Sequence, residues 1–215
     1  RLHAGIINRL AWMQRAFPLA PGNVVLAKTA LSFDVCLWEL LWPPMTGATV
    51  VAARHGRHGD AEYLCDVLDR FAVDTVHFVP AMLGAFLDAA TGRRFPSLRR
   101  VFTSGERLAL SLARQAHAQL GADLHNLYGP TEASIDVTRF TYRPADGRAF
   151  VPIGRPIDNT TVRVCDPGGR EVPPGVPGEL VIEGVGVALG YLGDGSLDAG
   201  RFGVDPDSGQ RTYRT

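Results

Sequence analysis

Apolar side chains at Ile6, Ile7, Leu10, Met13 and Phe17 recur at helical spacing, so residues 4–17 predict a helix that Pro18 ends. A strand-like run follows at 24–28. Ser32 and Asp34 then offer cap chemistry for a short helix through Trp42, which Pro43 and Pro44 should stop. Residues 49–53 read as a strand, and Asp60 as the cap of a helix with Leu64, Val67, Leu68 and Phe71 on one face. The apolar run 73–79 predicts another strand, followed by a helix over 81–90. The unit recurs as a strand at 98–103 and a helix over 109–120 with Gly121 as its C-cap, before a strand at 123–128. Alternating strand and helix imply an α/β fold: a doubly wound, mostly parallel sheet with flanking helices and right-handed crossovers.

The texture then changes. From 151 to 192 there are short β-type runs, TTVRVCD and ELVIEG, punctuated by DPGG, PPGVPG and GVG. These are hairpin signals, and no amphipathic helix intervenes. A boundary near 143–150 is expected, dividing an α/β part at 1–143 from a small antiparallel β-rich part, a distorted barrel, at 144–215. The first residue is Arg1 rather than Met, and the closing GQRTYRT has neither cap nor polar tail, so the chain reads as a piece of a longer one.

Composition narrows the function classes. With 22 basic and 22 acidic residues the chain has no net field to hold nucleic acid or an anionic membrane. Apolar content of 46% at zero net charge excludes disorder. The apolar stretch 40–53 is broken by Pro43, Pro44 and Gly47, so no membrane span is expected. Cys36, Cys65 and Cys165 are scattered and form no C-x-x-C pair, which argues against a disulfide framework or a zinc site and fits the reducing cytoplasm.

In open parallel sheets ligands bind beyond the carboxyl ends of the strands. The uncommon polar residues cluster at those ends, so topology nominates one crevice lined by Asp34, His77, Ser104, Tyr128 and Glu132. Each also has a plain structural reading: Asp34 as a helix cap, His77 as a satisfied core histidine, Ser104-Gly105 as a turn, and Trp38 as core packing. One motif stands above that background, Asn126-Leu-Tyr-Gly-Pro-Thr-Glu132. After a strand it supplies a flat ring, a tight turn, a hydroxyl and a carboxylate. Such a set suits a nucleotide, with the base on Tyr128, a phosphate near Thr131 and magnesium on Glu132.

Together with GIINRLAWMQ (5–14), LSFDVCLWELLWP (31–43), HFVPAML (77–83), FTSGERL (102–108), VPIGRPIDNT (151–160) and GELVIEGVGVALGYL (178–192), the motif resembles the adenylate-forming superfamily, and specifically the adenylation domains of nonribosomal peptide synthetases. The resemblance implies ATP-dependent activation of an amino acid as aminoacyl-AMP, with release of pyrophosphate and transfer to a carrier-protein phosphopantetheine thiol. ATP and Mg2+ are then required. A peptidyl carrier domain, a condensation domain and, for some members, a small MbtH-like protein are the implied partners.

Carried over by motif, Asn126 and Tyr128 resemble adenine contacts, with Gly105, Glu106 and Gly129 beside them. Thr131 resembles the α-phosphate contact and Glu132 the magnesium ligand. Asp34 looks like the partner of the substrate's α-ammonium, which separates an amino-acid enzyme from an acyl- or aryl-CoA ligase. The family's side-chain pocket falls on Asp34, Val35, Trp38, His77, Phe102, Ser104, Leu127, Ile135 and Asp136. Trp38, Phe102 and Leu127 would make it shallow, with a polar floor from His77 and Asp136. That combination is similar to serine-activating domains, including those of siderophore synthetases. L-Threonine, another small polar amino acid, or an inactive structural module are the alternatives.

The family's phosphate loop with its lysine would precede residue 1. Its ribose-binding Asp and small C-terminal domain would follow Thr215, so these 215 residues alone are expected to turn over nothing. Cys36 stands where the family has Ser, and Leu189 where it has Arg.

Overall fold

The computed structural model describes residues 3–193, 195 and 198–215. The chain divides into two compact units, Gln14–Tyr128 with Arg139–Arg155, and Arg1–Met13 with Gly129–Thr138 and Pro156–Thr215. Residues 143–150, where the sequence places a boundary, lie inside the first of these.

The first unit is built on β1 (Val24–Ala27), β2 (Thr49–Ala52), β3 (Thr75–Phe78), β4 (Arg100–Thr103) and β5 (Asp123–Tyr128). They are joined in turn by α2 (Cys36–Met45), α3 (Ala61–Arg70), α4 (Pro80–Ala89) and α5 (Leu110–Leu120), while α1 (His3–Ala16) precedes them. With β6 (Thr138–Thr141) and β7 (Arg155–Pro156) they form a seven-stranded sheet in the order β2-β1-β3-β4-β5-β6-β7. The β1–β2, β1–β3, β3–β4 and β4–β5 pairs are all parallel. Strands covered by helices bury both faces, and β3 is buried at every position. The core runs from Leu64 and Leu68 of α3 through Val76 and Phe78 to Phe86, whose ring lies 4.8 Å from that of Phe78.

Local chemistry accounts for most of the ends. The Asp60 side chain accepts from the Tyr63 N–H at 3.0 Å and starts α3. Gly121 takes the left-handed conformation, φ 65°, that closes α5. Two expectations are corrected. Pro43 and Pro44 do not stop α2 at Trp42, because they stand in its last turn and only the Glu39 and Leu40 carbonyls lose their donors. Nor do Ser32 and Asp34 cap it: its N-cap is Val35, with no side-chain bond. The buried face of α1 is also rotated from the expected stripe; Ile7 is exposed, and Gly5, Arg9, Leu10, Trp12 and Met13 are buried.

One buried acid organises the segment that leaves β1. Glu39 is fully buried and its carboxylate accepts from the Lys28 N–H (3.0 Å), the Thr29 N–H (2.8 Å) and the Thr29 hydroxyl (2.7 Å). Burial pushes its carboxyl above the usual range, against those bonds and nearby Lys28. The same burial lowers Lys28, whose ammonium lies 5.0 Å from the centre of the Phe78 ring.

The second unit carries a four-stranded antiparallel sheet of β8 (Thr160–Cys165), β9 (Glu179–Gly184), β10 (Phe202–Val204) and β11 (Arg211–Arg214), in the order β10-β11-β9-β8. Among the described residues no helix is long and apolar enough to cross a membrane.

Candidate functional site

Parallel pairing aligns the carboxyl ends of β1, β3, β4 and β5 along one edge of the sheet. Asp34 lies on the segment after β1, His77 near the end of β3, Ser104 just past β4, and Tyr128 at the end of β5. These four expected residues therefore belong to one edge of one unit. Register then sorts them by face. His77 pairs with Phe102, and Phe102 with His125. The two-residue period puts Ser104 and Leu127 on that same face, and Thr103 and Asn126 on the other.

On the first face the His77 Nε2 lies 2.9 Å from the Ser104 Oγ, and both residues are buried. Trp38 projects from α2 and meets the His77 ring edge-on at 6.0 Å and the Phe102 ring at 5.5 Å. Its own indole N–H is buried with no hydrogen-bond partner among the described residues. Leu127 is buried, while Asp34 and Val35 are half-buried. The result is a small polar pair walled by large rings.

On the other face Asn126 is buried. Its amide donates to the Pro152 carbonyl at 3.0 Å, and its oxygen accepts from the Thr103 hydroxyl at 3.3 Å. Gly105 turns at φ 85°, where glycine is favoured, and leaves itself and Glu106 exposed. The Glu106 carboxylate accepts from the Ala81 N–H in the first turn of α4 at 3.3 Å.

His125 is held between Phe17 and Phe102, with ring centroids at 4.5 and 5.1 Å, and its Nδ1 lies 2.9 Å from the Thr141 Oγ1. Burial pushes its imidazole down to about 4. Below pH 6.5 the unfolded imidazole takes up a proton that the folded one refuses until about pH 4. Stability from this group is thus whole above pH 6.5 and falls as pH drops through that window, by up to about 3 kcal/mol. His125→Phe is expected to flatten the slope of unfolding free energy between pH 6.5 and 4 in urea titrations; an unchanged slope would count against it.

The second unit holds the remaining expected residues, Gly129, Thr131, Glu132, Ile135 and Asp136. Here the chain doubles back on itself. A Cβ at Gly129 would lie 2.5 Å from the Ile135 carbonyl oxygen, so no larger residue fits. Pro130 leads into a single 3-10 turn, Thr131–Ala133, with Thr131 exposed and Glu132 half-buried. Ser134 and Ile135 then both take positive φ, 64° and 81°. A β-branched residue in that region is a strained one, and such strain clusters at functional loops. The loop is tied by the Ser134 hydroxyl donating to the Gly186 carbonyl at 2.7 Å and the Ala188 N–H donating to the Glu132 carbonyl at 2.7 Å.

The Glu132 carboxylate accepts a short bond from the Tyr191 hydroxyl. That bond holds the Tyr191 phenol protonated well above its ordinary range. Among the described residues no three His, Cys, Asp or Glu side chains gather as a metal cage. A single half-buried carboxylate beside an exposed hydroxyl fits Mg2+ instead, which keeps several waters and shares its ligands with substrate phosphates. Asp136 is met by Arg9: the guanidinium Nη2 lies 2.7 Å from its carboxylate, both side chains at most 2% exposed.

Arg9, Glu39 and Tyr191 were not reached from the sequence. Arg9 leaves a trace there, as a charge at helical spacing within the apolar stripe of the first helix, and Glu39 does likewise between Trp38 and Leu40. Tyr191 leaves none, because its partner is 59 residues away.

Comparison with known proteins accords with this geometry. Along 99% of its length the chain is 50% identical to phosphinothricin tripeptide synthetase PhsB of Streptomyces viridochromogenes, of which it spans 18%. Along 98% it is 44% identical to enterobactin synthase component F of Escherichia coli K12, spanning 17% of that protein. Its fold superposes with a TM-score of 0.90 on the nonribosomal peptide synthetase FmoA3 in an α-methyl-L-serine-AMP-bound form, at 28% identity over 97% of this chain and 24% of that one. The chain thus spans less than a fifth of the length of these curated relatives. Residues 2–192 match the model of the AMP-binding enzyme family, and with the strand-end residues and the Gly129–Asp136 loop in place, the chain belongs to that family.

Proposed function

We propose that this chain is part of the large domain of a nonribosomal peptide synthetase adenylation domain. The parent protein would form aminoacyl-AMP from ATP and an L-amino acid, preferentially L-serine, and pass it to the phosphopantetheine thiol of a carrier domain. The observation that carries the substrate reading is the His77–Ser104 pair, 2.9 Å apart and walled by Trp38 and Phe102. Large rings limit depth, and an imidazole and a hydroxyl can exchange hydrogen bonds with one small hydroxyl. The α-methyl-L-serine-AMP held by the similar FmoA3 lends support.

The substrate carboxylate, with a pKa below about 4, is already ionised at neutral pH, so no general base is needed. The protein's task is to hold that carboxylate in line with the α-phosphorus and to neutralise developing charge. In this reading Asp34 holds the α-ammonium, Asn126 and Tyr128 the adenine, Thr131 the α-phosphate and Glu132 the magnesium ion. Magnesium, when bound, supplies charge neutralisation on the phosphate oxygens.

Amino-acid-dependent pyrophosphate exchange by the full-length parent protein tests the assignment, with the highest kcat/KM expected for L-serine. Alanine leaves the polar pair unmet and should be strongly rejected. Threonine differs by one methyl, worth only about 1–3 kcal/mol, and should rank second. Strongest exchange with threonine or with a non-amino acid would overturn the serine assignment.

A further inference from the structure

Two bonds already anchor the loop after Gly129: the Ala188 N–H donates to the Glu132 carbonyl and the Ser134 hydroxyl to the Gly186 carbonyl, each at 2.7 Å. The bond from Tyr191 is of another kind, because it grips the side chain of Glu132 and not its backbone. The phenol donates to Oε1, and Oε2 has no hydrogen bond or ion pair among the described residues. One carboxylate oxygen is fixed and the other left open, which is how carboxylates that bind metal ions are commonly held. The grip is itself supported. The Tyr191 ring meets Phe202 edge-on at 5.3 Å, and its hydroxyl lies 3.4 Å from that of buried Tyr213. Arg201 donates to the Tyr213 hydroxyl, also at 3.4 Å. A guanidinium can only donate and the Tyr191 proton is committed to Glu132, so the Tyr213 proton is the one that points to Tyr191. Every residue of this chain of bonds belongs to the second unit.

We propose that Tyr191 is a positioning residue: its hydroxyl holds the Glu132 carboxylate in one orientation, with Oε2 free for Mg2+. This rests on the reading of Glu132 as the magnesium ligand. A half-buried glutamate on a single 3-10 turn would otherwise sample several rotamers and give up that freedom each time the ion arrived. A side chain that is already fixed gives up none, so the ion is held more tightly without a new contact to it.

The test reads binding and not turnover. The Kd of α,β-methylene-ATP, which cannot be cleaved at the bond that releases pyrophosphate, is measured on the full-length protein in saturating Mg2+ and again in EDTA, with no amino acid present. Tyr191→Phe removes one oxygen and keeps the ring against Phe202. Loss of a partner that orients a metal ligand commonly weakens the metal about 10- to 100-fold, so Kd in Mg2+ is expected to rise about tenfold or more. The value in EDTA should stay close to that of the unaltered protein. A hydroxyl that merely braced the loop would shift both values alike, and equal shifts, or none, would overturn the assignment. Glu132→Gln is measured beside it. If that variant leaves Kd in Mg2+ unchanged, the magnesium reading of Glu132 fails, and the role of Tyr191 with it. If it weakens binding in Mg2+ and Tyr191→Phe does not, only the role of Tyr191 fails.

Discussion

Asp34→Ala in the full-length protein is expected to lower kcat/KM for L-serine about 100-fold or more. An ammonium taken out of water without its carboxylate loses about 3–5 kcal/mol, and each 1.4 kcal/mol is tenfold. The half-exposed position of Asp34 puts the effect toward the lower end of that range. The loss should be specific to the amine. The deaminated analogue 3-hydroxypropionate should be a poor substrate of the native protein and be used no worse by the variant, so the preference for serine over it is expected to collapse. Folding should hold, because Glu39 secures the segment through Lys28 and Thr29. Urea titration and the two exchange rates check both halves. An intact preference for the amine would remove Asp34 from the site.

Glu132→Gln is expected to fall on a different kinetic constant. A carboxylate that holds magnesium against the phosphates acts mainly as charge builds at the α-phosphorus, so kcat should drop about 100- to 1000-fold. KM for serine should stay within a few-fold, since no contact to the amino acid is lost. The glutamine keeps a carbonyl oxygen to accept the Tyr191 hydroxyl, so the loop held by Tyr191 and the Ala188 N–H stays in place. The magnesium concentration for half-maximal exchange should rise. A change confined to KM, with kcat and the magnesium requirement untouched, would show that Glu132 has another task.

The α/β order of elements was readable in the sequence because each element announces itself locally. Asp60 caps, Gly121 closes, and the apolar run around Val76 is too short and too β-branched for a helix. Placement of chemistry at strand ends then follows from topology, which is how Asp34, His77, Ser104 and Tyr128 are reached without coordinates. What stays hidden is contact at long range. Nothing near Arg9 in the chain says that its partner lies 127 residues on, and nothing near Asn126 says that its amide will meet the Pro152 carbonyl. The division into units is hidden for the same reason: residues 129–138 follow β5 in sequence but cluster with the antiparallel sheet. The misjudged stop at Pro43 has a simpler cause. Two prolines this near the end cost only the bonds to the Glu39 and Leu40 carbonyls, and the cap N–H still closes the turn on Pro43 and Pro44.

The left-handed pair Ser134-Ile135 sets which substitutions the loop after Gly129 tolerates. Isoleucine at φ 81° already endures the backbone penalty that any residue with a Cβ would meet there. Swapping it for valine, leucine or methionine therefore adds little new conformational expense, and the outcome turns on side-chain shape alone. Gly129 offers no such latitude, since its neighbours leave no room for even a methyl. Diversity in this loop therefore belongs at 135, with 129 held invariant.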